Sequence, residues 1–120
     1  MKQITTAERR IANINDTSAY EPTDPSGQSE QGTQMLKLNT LNERFEGFYI
    51  YKMAPGASST PHRHGGAEEF LMLDGELIDN DGTVYRPGDV VWLAAGTEHV
   101  SHTETGCLIA VYAEGPEDAL

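Results

Sequence analysis

From residue 34 onward, apolar and polar positions alternate in short runs separated by turn residues. The runs at 34–39, 45–53, 69–73, 76–78, 83–85, 90–93, 98–103 and 107–112 read as β-strands, because alternate side chains of an extended chain point to opposite faces. Turn signals lie between them: Ala54-Pro55-Gly56, Asp74-Gly75, Asp79-Asn80-Asp81-Gly82 and Arg86-Pro87-Gly88-Asp89. Strands spaced about ten residues apart with Gly and Pro turns predict an all-β fold, a small antiparallel barrel or jelly roll. No long amphipathic helix competes with that pattern. Two runs, Phe70-Leu71-Met72-Leu73 and Val90-Val91-Trp92-Leu93, are apolar on both faces. One face would line the interior, so the other needs a cover. A second copy of the chain would supply it in a homodimer; the N-terminal segment is the alternative.

That N-terminal segment differs in kind. Residues 15–32 are rich in Asp, Ser, Pro, Gln and Gly and carry little that is apolar beyond Tyr20, the composition of a flexible arm or of one exchanged as a strand across a dimer. Residues 7–14 suggest one or two helical turns, with Ile4, Ile11 and Ile14 as the large apolar residues nearby. The organisation expected is therefore an arm over residues 1–32 and a β-barrel domain over 33–120. At 120 residues the chain is long enough for one core.

Charge and cysteine content narrow the partners. Acidic residues outnumber basic ones 19 to 8, a formal net charge of −11, and the basic residues are scattered, which disfavours nucleic acid. No apolar run approaches the roughly 18 residues of a membrane span, and residues 1–14 lack the apolar stretch of a signal peptide, so a cytoplasmic location is expected. The single cysteine, Cys107, lies in an apolar run and reads as a small core residue.

The chemistry is concentrated in three histidines. His62 and His64 flank one residue, so in an extended strand they share a face while Arg63 points away. His99 lies a run of strands downstream. Neutral imidazoles with a carboxylate form one of the commonest transition-metal environments. His102, three residues beyond His99, falls on the opposite face, whereas Ser101 and Thr103 share the face of His99. Tyr49, Tyr51, Trp92 and Tyr112 are candidate cavity-lining aromatics.

Together these features resemble the cupin superfamily. Its first motif is a glycine, five residues, His-x-His, three or four residues, a glutamate, six residues and a glycine; Gly56, His62, His64, Glu68 and Gly75 meet it. In the second motif Gly88, Gly96 and His99 fit, while Ala94 stands where the family has proline and Thr103 takes the final position. The wording through His62, His64, Gly66, Glu68, Glu69, Phe70, Leu71, Leu73 and Gly75 is similar to the cupin domain of ChrR-type zinc-dependent anti-sigma factors. Their helical zinc-binding N-terminal domain has no counterpart in residues 1–32, which contain neither Cys nor His, so sigma-factor binding does not transfer. The resemblance implies the metal ligands His62, His64, Glu68 and His99. Glu69 is the rival carboxylate, but strand alternation admits one of the pair to the inner face, and the spacing to Gly75 favours Glu68.

The metal expected is a divalent transition ion: Zn, Fe(II), Mn, Ni or Co. Four protein ligands fill a tetrahedral zinc sphere but leave two adjacent positions on an octahedral ion. The leading expectation is a small metal-dependent dioxygenase acting on a carbonyl or phenolic compound. The alternative is a non-catalytic module that binds a metal or small ligand, or senses it.

Overall fold

The long alternating runs build the main sheet. The computed structural model describes residues 1–27 and 30–120. Its strands are β1 (Glu21–Pro22), β2 (Thr33–Leu36), β3 (Gly47–Met53), β4 (His62–His64), β5 (Glu68–Gly75), β6 (Leu77–Asp79), β7 (Val84–Tyr85), β8 (Val90–Leu93), β9 (Glu98–His99), β10 (Ser101–His102), β11 (Cys107–Ala113) and β12 (Glu117–Ala119). Six of them form one antiparallel sheet in the order β1-β2-β3-β11-β5-β8. Two three-stranded sheets, β10-β6-β7 and β12-β4-β9, complete the architecture. Hydrogen bonding does not close these sheets into a barrel, but the expected all-β class holds. Among the described residues there is no α-helix.

Alternation sorts the main sheet into two faces. Its inner face carries Tyr49, Met53, Phe70, Met72, Cys107, Ile109 and Val111, all buried. Leu77 and Tyr85 from the β10-β6-β7 sheet pack against them, and the Phe70 and Tyr85 rings meet edge to face at 5.2 Å. Burying a side chain of this size contributes roughly 1.5–3 kcal/mol. Cys107 belongs to this core, and burial pushes its thiol up to about 11, which keeps it protonated. Gly75, the last motif glycine, adopts φ +71°, and a Cβ there would lie 1.9 Å from the carbonyl oxygen of Gly106. Only glycine allows that approach at the end of the β5–β11 pair.

Two local expectations change. Of residues 7–14, Ala7 and Glu8 alone are helical, in a single 3-10 turn at Thr6–Glu8, and a second such turn lies at Thr17–Ala19. Ile4 and Ile11 reach solvent, so nothing apolar rewards a helix there. The run expected as one strand over 98–103 is two. Val100 breaks it by exchanging hydrogen bonds with Asn80, its N–H to the side chain and its carbonyl from the backbone. This moves the chain from β4 as partner of β9 to β6 as partner of β10. Further on, Tyr20 is buried on Leu36 and Ile50, so residues of the expected arm cover part of the sheet's outer face.

Candidate metal centre

Register brings the three histidines together. In the β4–β9 pair His62 lies directly opposite His99, and His64 follows two residues along the same face of β4. His62 Nε2 stands 3.3 Å from His64 Nε2 and 3.0 Å from His99 Nε2. Candidate ligand atoms of the three residues all lie within 4.8 Å of one another. The rings of His62 and His64 are buried and that of His99 is nearly so.

The other ring nitrogens decide what those three Nε2 atoms are. His62 Nδ1 is 2.7 Å from the carbonyl oxygen of Thr60, which can only accept. His64 Nδ1 is 2.9 Å from Thr97 Oγ1, whose own proton goes to the Ala94 carbonyl. His99 Nδ1 is 3.1 Å from Asp79 Oδ1. Each Nδ1 is therefore the donor, and each Nε2 presents a lone pair. Three lone pairs facing one another repel unless a cation or a proton lies between them. Burial, followed by the neighbouring imidazoles, lowers the His62 pKa despite its bond to Thr60, so that ring stays neutral. Nitrogen ligands at about 2.1 Å from one ion lie about 3.0 Å apart in cis octahedral geometry and about 3.4 Å apart in tetrahedral geometry. The separations seen here fit that range, and the donor set suits a divalent transition ion.

Two carboxylates border the three histidines, each against one ring. Glu68 is buried on the inner face of β5, with Oε2 3.0 Å from His64 Nε2, whereas Glu69 faces outward. Glu117 was not anticipated. Its Oε1 lies 3.4 Å from His62 Nε2, and burial, reinforced by the charges of Glu68 and Glu30, pushes its carboxyl up to about 8. Such a group can hold or release a proton near neutral pH. Glu117 reaches the site because β12 pairs with β4. The return at Glu114-Gly115-Pro116 passes so close to Gly65 and Gly66 that a Cβ at either would lie 2.5 or 2.7 Å from its backbone. The Gly65-Gly66 pair just after His64 was the one available sign of a chain crossing there.

Asp79 was also unanticipated as a site residue. It accepts from His99 Nδ1, from Ser101 Oγ, and from Tyr85 Oη at 2.6 Å. Burial would raise its pKa, but hydrogen bonds from His99, Ser101 and Tyr85 outweigh it and hold the carboxyl below its ordinary value. An ionised Asp79 fixes the His99 tautomer and makes Nε2 a better donor. Ser101 and Thr103 face inward as their parity implied, and His102 is exposed. A cavity of about 50 Å³ opens beside the histidines, walled by Tyr49, Tyr51, Phe45, Phe70, Ile109 and Val111. Of the four candidate aromatics, Tyr49 and Tyr51 line it, while Trp92 and Tyr112 lie on the outer face of the sheet. Tyr51 donates to Glu30, which also accepts from Thr60.

An all-β scaffold that gathers a His-x-His pair and a distant third histidine beside a small, mostly apolar cavity is a cupin. More narrowly, the chain belongs to the ChrR Cupin-like domain family, which matches residues 17–116. No curated protein matches the sequence. Among solved structures, an acetylacetone dioxygenase from Acinetobacter johnsonii is similar over 100% of this chain and 82% of its own, with a TM-score of 0.76 and 16% identity. The polyketide cyclase RemF from Streptomyces resistomycificus is similar over 100% of this chain and 85% of its own, with a TM-score of 0.60 and 20% identity. The anti-sigma ChrR of Rhodobacter sphaeroides, solved with SigE, matches 69% of this chain and 44% of its own, at TM-score 0.59 and 22% identity. At such identities these likenesses speak to the fold alone.

Proposed function

We propose that this protein holds a divalent transition ion (Zn, Fe(II), Mn, Ni or Co) through His62, His64, His99 and Glu68 and acts as a small dioxygenase on a carbonyl or phenolic compound. The observation that carries the proposal is the convergence of three Nε2 lone pairs, each fixed by an acceptor on its own Nδ1, at the wall of an apolar cavity. The ion would supply Lewis-acid polarisation and, as iron, reactivity toward dioxygen. The chain's own residues do the rest. Thr60, Thr97 and Asp79 hold the three rings in the tautomer that turns each Nε2 lone pair toward the other two. Tyr49, Phe70, Ile109 and Val111 exclude water and select a compact, largely apolar ligand. Glu117 Oε1, beside His62, is placed to take up a proton from an enolisable substrate. We read the protein as a cytoplasmic homodimer that engages neither nucleic acid nor membrane; among the described residues no helix is long and apolar enough to cross a bilayer.

Glu117 favours a second reading. If both carboxylates ligate, five protein donors leave at most one position on an octahedral ion, which suits a binding or sensing module. One experiment separates the two. Iron-loaded protein is assayed for oxygen uptake with small diketones, enolisable ketones and catechols. Uptake with one class supports the dioxygenase; silence across the panel with the metal retained supports the module.

A further inference from the structure

The outer face of the main sheet carries an uncovered apolar band. Register aligns Phe48, Tyr112, Glu69 and Trp92 in one row across β3, β11, β5 and β8. The adjacent row is Ile50, Ala110, Leu71 and Val90. Tyr20 covers the row at Ile50 and Ala110, on the β3 side. Toward β8, the outermost strand, Trp92 is 63% exposed and Val90 76%, and Leu71, Leu73 and Tyr112 are exposed beside them. Contiguous apolar surface of this kind on a soluble domain marks a contact site.

The same chain carries a segment with the complementary deficiency. Residues 1–14 are all exposed, including Ile4 at 59% and Ile11 at 83%. The segment is not featureless: Thr5 and Glu8 cap each other, and Arg10 donates to the Leu38 carbonyl, which directs it off the end of β2. Its charge is opposite to that of the rest. Lys2, Arg9 and Arg10 against Glu8 give residues 1–14 a net charge of +2, while residues 15–120 hold five basic and eighteen acidic residues, −13. Three of those acidic residues, Glu69, Asp74 and Asp89, are exposed in or beside the apolar band.

We infer that residues 1–14 of one copy dock on the outer face of a second copy, seating Ile4 and Ile11 against Leu71, Val90 and Trp92, with the exchange reciprocated across a two-fold axis. A chain of net charge −11 repels its own copy, and a cationic, isoleucine-bearing arm is the part that reverses this. A two-fold arrangement covers both uncovered bands with both uncovered arms and leaves no open end. The inference rests on the homodimer reading above and names the surface that makes it.

Trp92 is the sole tryptophan, so its fluorescence reports on this face directly. The full chain is compared with an Ile4→Asp/Ile11→Asp variant and with Leu71→Asp by light scattering and by acrylamide quenching. Metal content serves as a control for folding of the domain. The expected result is a dimer whose Trp92 is shielded from quencher, with both properties lost in either variant and the dissociation constant raised at least roughly tenfold. Added salt should weaken the dimer. A monomer at the highest attainable concentration overturns the inference. So does a monomer with shielded Trp92, which would mean that the arm folds onto its own sheet. A dimer with freely quenched Trp92, or one indifferent to the isoleucine changes, overturns the exchange while leaving the homodimer standing.

Discussion

The two faces of the main sheet are made from the same strands, yet they are in opposite states. On β5, Glu68, Phe70 and Met72 are buried and Glu69, Leu71 and Leu73 are not, although the last two are as apolar as their neighbours. The inner face is closed because two small sheets lie over it and bring the histidines and Asp79. Among the described residues, the outer face is closed only around Tyr20 and its neighbour Ala19. Apolar character therefore does not specify burial: what lies opposite does.

Metal content gives the sharpest contrast between the faces. His99→Ala or His62→Ala should lose the ion almost completely by elemental analysis, while His102→Ala, three residues from His99 but facing outward, should keep the wild-type amount. Equal metal in all three would dissolve the distinction. Next in size is packing. Met72→Ala should cost about 2–5 kcal/mol in denaturant unfolding, and Leu71→Ala under about 1 kcal/mol when measured on dilute, monomeric protein. A comparable loss for Leu71 would show that its face is already covered within one chain.

Asp79→Ala tests the support given to His99. Removing such a partner typically weakens metal affinity 10–100-fold, which a competition titration with a chromogenic chelator would read. Unchanged affinity would reduce Asp79 to a structural residue of β6. The smallest expected effect is on pH dependence. Glu117 ordinarily titrates near 4.5 and is pushed up to about 8 in the fold, so the folded chain holds this proton more tightly than the unfolded one. Its contribution to stability is present below about pH 4.5 and is lost as pH rises toward 8. Metal-free Glu117→Gln should therefore show a flatter fall in melting temperature over that window than the metal-free parent.

Much of the site was legible because strand parity is a local property. The pairing of His62 with His64, the admission of one of Glu68 and Glu69 to the inner face, and the inward direction of Ser101 and Thr103 follow from a period of two, while the choice of Glu68 came from its spacing to Gly75. Most expected strands occur within two residues of their sequence limits. What was missed involves a second strand. Asp79 meets His99 because Val100 switches the chain between sheets, and Glu117 meets His62 because β12 returns onto β4. Neither residue differs in sequence from an ordinary turn or tail acid.

Spacing and alternation along the chain thus determined which side chains could face a common interior and that three imidazoles would be among them. Only the tertiary structure decided which acids join those imidazoles and which apolar strands remain uncovered. The reason is physical: the direction of a side chain from a strand is set by its own backbone, whereas its neighbours across the gap are set by chain pairings tens of residues away.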